Sequence, residues 1–294
     1  MSQAALTARP AGGRRARRTS RSGANWGSPT TYLIATVLIA ICIAPVLYII
    51  VGGFRTNSQI TVDPSGWPDP WVLTNYTDVL TSELFWRQFG NSVISAVATT
   101  IGTVALALMA SFVIARYDFR GRQGMYALFA AGLMFPMTVA ITPLYLLIRY
   151  IGLTDNLLGV ILPQIAFALP VTVIILVPFL AAIPKELEEA AAIDGASRLG
   201  FFFRMVLPLS LPGVITTSIL AFIGAWNSYM LPLFILNNSD MYTLPLGVQA
   251  FSSEHSVDTA AVLAFTSLSM IPALLFFSIF ERRIVGGLTG AVKG

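Results

Sequence analysis

The side chains of this sequence whose types and spacing could do chemistry together lie in one short stretch, residues 184–208. Pro184 suits the first position of a helix, and the acidic residues after it favour the positive end of that helix. Four side chains then fall on one helical face at positions i, i+3, i+4 and i+7: Leu187, Ala190, Ala191 and Asp194. Small side chains let another surface approach the backbone closely. The chemistry that this pattern indicates is docking.

A turn and a second apolar stripe complete the stretch. Asp194-Gly195 is a turn signal that ends the first helix. The second stripe ends at Pro208 and consists of Leu199, Phe202, Phe203 and Val206. We therefore predict a short helix-turn-helix flanked by two apolar runs. It either rests on its own membrane domain, as Phe201 to Phe203 suggest, or docks a partner protein, which the acidic residues and the alanine stripe favour.

Residues for other kinds of chemistry are scarce. The single cysteine, Cys42, excludes an intrachain disulfide and any Cys-rich metal site, and the single histidine, His255, excludes sites with two histidines. No G-x-x-x-x-G-K-[ST] pattern is present, so the chain has no P-loop for a nucleotide. We therefore expect no catalytic residue, no metal and no cofactor on this chain. Energy for any thermodynamic work must arrive through a partner.

The composition places the chain in a membrane. Only 11% of its 294 residues are charged, 55% are hydrophobic and the mean hydropathy is +0.75, whereas a soluble domain has about 25% charged residues. The net charge of +4 could suggest nucleic acid. However, six arginines cluster between Arg9 and Arg21, ahead of the first apolar run, and membrane orientation accounts for them. We expect lipid contact and no nucleic-acid partner.

Six apolar runs are long enough to cross a bilayer core of about 30 Å as helices. These runs are 32–54, 89–115, 124–148, 157–183, 209–236 and 259–280, and none contains Asp, Glu, Lys, Arg or His. Counted over alternate intervening segments, 15 of the 18 basic residues fall on one side, which predicts that this side and both termini are cytoplasmic. Several prolines lie in these runs and predict kinks, which either serve ordinary packing or line a cavity.

The sequence thus predicts an all-α integral membrane protein with three parts. Residues 1–31 form a basic cytoplasmic tail without fixed structure, residues 32–282 form the six-span domain, and residues 283–294 form a cytoplasmic tail. Proton- and ion-coupled carriers usually carry ionisable side chains within the membrane. The charge-free spans therefore argue against such a carrier.

The stretch 184–208 also carries a resemblance to a known family. Glu189-Ala190-Ala191, three residues, Gly195, nine residues and Met205-x-Leu207-Pro208 resemble the signature EAA-x3-G-x9-I-x-LP of ABC-importer permeases. Met205 replaces Ile, a volume-conserving change. Further segments are similar to the carbohydrate branch, and most similar to the second permease of maltose-type systems: Pro143-Leu-Tyr145, Gly152-Leu-Thr-Asp-Asn156, Trp226-Asn227, Met241-Tyr-Thr-Leu-Pro245 and the ending from Gly287.

The resemblance implies a type I ABC-importer permease fold in a bacterial inner membrane, in a transport subunit rather than an enzyme. It implies import of a sugar, oligosaccharide or polyol that an extracytoplasmic solute-binding protein delivers. It further implies a different second permease, hence a heterodimer, and a dimer of ATP-binding subunits that holds ATP and Mg. The residues that would couple this chain to the ATPase are Glu189, Ala190, Ala191, Asp194, Gly195, Leu207 and Pro208.

Substrate contacts are implied less directly. Sugar sites combine amides with aromatic faces, and the candidates of these types are Asn91, Trp226, Asn227 and Tyr229. Such residues can instead anchor a span at the interface or bond a neighbouring helix. Two alternatives to a sugar importer also stay open. One is a permease of the same fold for glycerol phosphate, an osmolyte or an amino acid, and the other is a membrane scaffold without a solute path.

Overall fold

A computed structural model describes residues 28–251 and 257–292, with side chains described as far as residue 280. Residues 1–27 of the expected N-terminal tail and His255 lie outside the described residues. The longer helices are α1 Pro29–Gly52, α2 Glu83–Arg116, α3 Arg122–Gly132, α4 Met137–Tyr150, α5 Leu157–Ala181, α6 Lys185–Ile193, α7 Arg198–Leu209, α8 Leu211–Trp226 and α9 Thr259–Val292. Shorter helices are Asn57–Val62, Thr74–Thr81, Met230–Ile235, Ser239–Met241, Leu244–Gly247 and Val248–Phe251.

The prediction of an all-α chain with membrane-spanning helices is confirmed in the described residues. Four helices are long and apolar enough to cross a bilayer by themselves: α1, α2, α5 and residues 259–280 of α9. Two bent pairs, α3 with α4 and α7 with α8, raise the number to six if each pair is one span. Helix α9 continues into the expected C-terminal tail as far as Val292.

The predicted run 124–148 is not one straight helix, since α3 and α4 meet at 99°. The break falls between Gly132 and Met137, next to Pro136. A proline lacks the N–H that a continuous helix needs, and its ring collides with the carbonyl four residues earlier, here that of Gly132. The helix therefore ends where the proline forbids its continuation.

The predicted run 209–236 is also interrupted, close to Pro232, one of the prolines at which the sequence predicts a kink. Helix α8 ends at Trp226, residues 227–229 are not helical, and a second helix follows at Met230–Ile235. Pro232 explains the break by the same rule, because in a continuous helix its ring would meet the carbonyl of Ser228. At the start of this run, α7 and α8 meet at 75° beside Pro208 and Pro212.

Helix α2 forms the centre of the packed helices, between α5 and α8. Its inward face is a stripe of small polar side chains, each 2% exposed or less: Ser92, Ser95, Thr99, Thr103 and Ser111. Small side chains let helices in a membrane approach closely, and the hydroxyls of Ser95, Thr99 and Ser111 donate hydrogen bonds to α5. Beyond this stripe, Arg116 ends α2 beside residues 184–208, and we call this side the loop end.

At the opposite end, polar contacts hold the connecting segments against the helices. Arg87 of α2 pairs with Asp240 at 3.1 Å. The amide of Asn91 donates to the carbonyl oxygens of Asp240 and Tyr242 at 2.8 and 3.0 Å. The 2% exposed Arg55 donates to the carbonyl oxygens of Gln59 and Pro64 at 2.7 and 3.1 Å and also to that of Asp63, so the segment after α1 is folded.

Asp155 joins two of these segments. Its Oδ1 accepts the backbone N–H groups of Asn237 and Asn238 at 2.5 and 2.9 Å, and its own N–H donates to the carbonyl of Ile235 at 3.0 Å. The N–H of Asn237 is the largest influence on the carboxyl and holds the pKa of Asp155 below its ordinary value. The charged carboxylate therefore ties the segment after α4 to the segment after Met230–Ile235.

Gly159→Ala should destabilise the protein, because a Cβ at this position would overlap the carbonyl oxygen of Leu153. We expect a loss of about 1–3 kcal/mol, typical of overpacking. Gly124→Ala is the matched control, since a Cβ there meets nothing within 4 Å and alanine favours a helix interior by about 0.5–1 kcal/mol. Thermal unfolding of both purified variants in detergent measures the difference, and equal midpoints would contradict this close packing.

Asp155→Asn should lower stability at neutral pH but not in acid. A carboxyl whose folded pKa is lowered stabilises the fold above its unfolded pKa of about 3.9, and that contribution is lost as the pH falls through the lowered value. Unfolding midpoints of wild type and variant should therefore differ at pH 7 and converge towards pH 3. A difference that stays constant over this range would exclude the charged tether. Asp78→Asn, in an exposed side chain of the same end, controls for loss of a surface charge.

Candidate functional site

Helix α6 ends in a turn that favours glycine. The N–H of Ala196 donates to the carbonyl of Ala191 at 2.9 Å, and the N–H of Gly195 donates to that of Ala192 at 3.1 Å. These two bonds make a Schellman motif, in which the residue after the helix is left-handed. Gly195 has a φ of +76°, which side chains with a Cβ rarely adopt. The Asp194-Gly195 turn that the sequence predicts is therefore present, and Gly195 fixes where the chain reverses.

The predicted stripe on α6 does not lie on one exposed face, and Ala191 departs from it. Leu187 and the buried Ala191 pack into an apolar cluster with residues of α2 and α5. Ala190, Glu189 and Asp194 are exposed instead. The physical reason is that Leu187 and Ala191 lie one helical turn apart on the same flank, and this flank covers the ends of α2 and α5. The exposed face consists of the other flank together with Ile193, which is 86% exposed.

An ion pair between Arg116 and Glu188 fixes α6 to α2. Nothing in the sequence indicates this pair. Arg116 Nε and Nη2 donate to the same oxygen of Glu188 at 3.1 and 2.7 Å, and Nη1 donates to the carbonyl of Ile183 at 2.5 Å. The Arg116 side chain is 2% exposed and that of Glu188 34%. The two residues are 72 positions apart, and no local pattern predicts such a pair. Helix α6 is thus bonded to the last turn of α2.

The second half of the stretch lies against the same cluster. Ser197 caps α7 by accepting the N–H of Gly200 at 3.1 Å, and residues Phe202–Val206 form a π-helical turn. Phe201 and Phe202 are buried, as an element resting on its own domain requires, whereas Phe203 is 61% exposed. Leu207 packs partly against the cluster, and Pro208 is exposed. The stretch 184–208 therefore has one face on its own domain and one face free.

The predicted pathway residues lie near one another without forming a single site. The side-chain amide of Asn91 donates its hydrogen bonds to the carbonyl oxygens of Asp240 and Tyr242, as described above. Trp226 is 3% exposed, and with the exposed Asn227 it lines a cavity of about 400 Å³. The hydroxyl of Tyr229 accepts the amide of Gln249 at 3.1 Å. Asn91 thus has a structural role, while Trp226 and Asn227 share a cavity.

A second cavity, which we call the amide cavity, contains a residue that sequence reasoning missed. It has a volume of about 240 Å³, and its lining includes Thr99, Met137, Gln164, Phe167, Gly224 and Ser228. The Gln164 side chain accepts from Thr99 Oγ1 at 2.8 Å and from Ser95 Oγ at 3.3 Å. The available signal was Gln164, the one amide side chain in the apolar run 157–183.

The polar groups that line the two cavities are amides and hydroxyls, and none of the lining residues is charged. Among the described residues, no group of three or more His, Cys, Asp or Glu could hold a metal ion. The charged groups lie instead at the two ends, in the Arg116–Glu188 pair and in Arg87 with its partners.

Residues 103–286 match a family described as the inner membrane component of binding-protein-dependent transport systems. The chain belongs to this family of permeases. The resemblance carried by residues 184–208 is therefore confirmed, and the permease is a transport subunit rather than an enzyme. Its relatives include a diacetylchitobiose uptake system permease protein of Streptomyces coelicolor, 35% identical over 85% of this chain and 83% of the relative. A trehalose transport system permease protein of Mycobacterium tuberculosis is 36% identical over 89% and 96%.

The fold of the permease agrees with solved structures. A chain of a bacterial ABC transporter involved in the import of the acidic polysaccharide alginate superposes with a TM-score of 0.75 at 20% identity, covering 86% of this chain and 94% of the other. A chain of a methionine ABC transporter superposes with a TM-score of 0.53 at 15% identity. These likenesses show that the ABC-importer permease fold accommodates this sequence.

Glu188→Gln should destabilise the permease by about 1–3 kcal/mol, because it leaves the buried Arg116 without its charged acceptor. Glu189→Gln, the adjacent exposed acid, is the matched control and should change stability little. Thermal unfolding of the two variants provides the measurement. Equal stability would show that the Arg116–Glu188 pair does not hold α6 in solution.

Proposed function

We propose that this permease forms half of the transmembrane pathway of an ATP-driven importer for a carbohydrate. The observation that carries the proposal is its similarity, over at least 83% of both chains, to permeases named for diacetylchitobiose and trehalose uptake. A sugar, an oligosaccharide or a related polyol fits this class. The same relatives favour a carbohydrate over the alternative solutes and over a scaffold without a path.

The uncharged interior supports this choice of solute. Both cavities are lined by apolar side chains with a few amides and hydroxyls, and none of their lining residues is charged. Neutral polyhydroxyl compounds need hydrogen bonds and apolar faces rather than counter-charges. A glycerol phosphate would need basic residues along the path.

For the topology we propose six spans, in which α3 with α4 forms one broken span, α8 with Met230–Ile235 forms another, and both termini lie in the cytoplasm of a bacterial cell. The charge distribution supports this, because 15 of the 18 basic residues lie in segments on the same side as residues 184–208. The segments 55–88 and 237–258 then face outward, where a solute-binding protein would dock. An alginate transporter with a related fold has been solved in complex with a pentasaccharide-bound periplasmic protein.

For the coupling element we propose the exposed face of α6 with its turn. Glu189 offers a charge for a basic residue of the ATPase, Ala190 allows close seating, and Asp194 with Gly195 sets the turn. The buried Ala191 acts on the other side, because it seats α6 on its own domain. Leu207 and Pro208 support the stretch where it meets α8. The ATP-binding subunits hold ATP and Mg, so this chain needs no cofactor.

The Arg116–Glu188 pair connects this coupling element to the long membrane helix α2. ATP-driven closure of the ATPase dimer would shift α6, and the pair would pass this shift to α2. Two packings of the helices, one open to each side, would then exchange populations, because ATP binding favours one of them. Two grooves on an ATPase dimer need two such elements, so a second permease completes the pathway, and we propose a heterodimer.

Uptake by a reconstituted transporter tests the function. The permease would be placed in proteoliposomes with its partner permease, the ATP-binding subunits and the binding protein, and offered labelled trehalose, diacetylchitobiose, glycerol phosphate and methionine. We expect ATP-dependent accumulation of a carbohydrate and not of the other two solutes. Accumulation of glycerol phosphate or methionine alone would overturn the proposal.

Gly195→Val should uncouple ATP hydrolysis from uptake or prevent assembly with the ATPase, because a β-branched residue strains at a φ of +76°. Gly195→Asn is the matched control, since asparagine tolerates left-handed backbone. The ratio of ATP hydrolysed to sugar imported should rise severalfold for valine and stay near wild type for asparagine. Normal coupling with valine would remove the turn from the mechanism.

A further inference from the structure

The unusual feature of the amide cavity is a polar group without a partner. Gln164 is 6% exposed, and its Oε1 accepts two hydroxyl hydrogen bonds, yet its Nε2 is buried and has no partner. Turning the amide over would exchange the two atoms and leave the oxygen unpaired instead. Buried polar groups are nearly always hydrogen-bonded, because an unpaired one is costly. Gln164 therefore keeps one hydrogen bond available whichever way its amide faces.

Two breaks in the membrane helices open onto the same cavity. Met137 begins α4 directly after the break beside Pro136, and Ser228 lies in the break between α8 and Met230–Ile235. Non-helical backbone at membrane depth is tolerated where it is buried in protein or lines a cavity. Broken helices also surround the substrate sites of many transporters. The positions of the two breaks are independent of the unpaired amide, and both observations indicate a ligand at this place.

The lining matches one neutral sugar ring. Gln164 supplies an amide, Thr99 and Ser228 supply hydroxyls, and Phe167 supplies an apolar ring. The volume of about 240 Å³ is close to the lower end of ligand pockets, about 300 Å³, and holds several waters of roughly 30 Å³ each. Its size suits one ring of a carbohydrate rather than a whole oligosaccharide.

We infer that the amide cavity is a sugar-binding subsite of the translocation path, in which Gln164 hydrogen-bonds a hydroxyl of the carbohydrate. This inference rests on the proposed function and deepens it. Thr99 positions the Gln164 amide through the bond at 2.8 Å. The substrate contact thus lies on Gln164 of α5, outside the set Asn91, Trp226, Asn227 and Tyr229 that the sequence suggests.

The test uses the complete transporter in proteoliposomes, with Cys42→Ser removing the only native cysteine of this chain. Labelled trehalose and diacetylchitobiose are the probes, offered with saturating binding protein. Gln164→Leu should lower the uptake rate about 3- to 10-fold, as expected for loss of one hydrogen bond. Thr103→Val is the control, because Thr103 is buried on the same face of α2 but does not line the cavity, and uptake should be unchanged.

A second readout separates binding from structure. Ser228→Cys places a thiol in the cavity, and its reaction with a methanethiosulfonate reagent should slow when the transported sugar is present. This protection should be lost when Gln164→Leu or the closer-shaped Gln164→Met is added. Reduced uptake with protection intact, or no effect of either Gln164 variant, would overturn the subsite. If the wild type imports no carbohydrate at all, the proposed function fails and this inference fails with it.

Discussion

Unpaired polar groups are costly inside a membrane, and this constraint determines where the permease is rigid and where it can hold a solute. Helices satisfy their own backbones, so most of the described chain is helical. Where Pro136 and Pro232 forbid continuation, the freed backbone must lie against protein or a cavity. Residues next to both breaks line the amide cavity. The sequence thus combines helix-breaking residues and one unpaired amide at the same place.

Helix α2 connects the parts that the function needs. Its last residue, Arg116, bonds Glu188 of α6, and Thr99 bonds Gln164 of α5 at the cavity. These two positions are separated by about 25 Å along one continuous helix. At its other end, Ser92 accepts the N–H of Leu244 at 2.7 Å. In the proposed mechanism, a displacement of α6 would reach the cavity and the opposite end through this one helix.

Hydropathy and turn chemistry predict much of this fold. Contacts between residues far apart in the sequence are not predicted, because no local pattern reports them. Apolar length located the helices, and Asp194-Gly195 located the turn, because both depend on neighbouring residues alone. The prolines of 124–148 and 209–236 predict kinks, but the angle of 99° between α3 and α4 was not predicted, since hydropathy does not report backbone direction. The pattern predicted that Ala191 contacts a partner, because the spacing of a stripe does not show which of its side chains pack on the protein's own domain. Arg116 with Glu188, and Gln164 with Thr99, join residues more than 60 positions apart, and only the folded chain brings them together.

We propose that α2 transmits motion from α6 to the solute path. The most direct test replaces the Arg116–Glu188 pair by apolar side chains of similar volume. Arg116→Met combined with Glu188→Leu removes both charges, and such apolar replacements often leave stability unchanged or higher. The quantity to measure is the number of ATP molecules hydrolysed per carbohydrate imported by the reconstituted transporter. The account predicts that this number rises severalfold in the double variant while assembly is retained. An unchanged number in a fully assembled complex would contradict it.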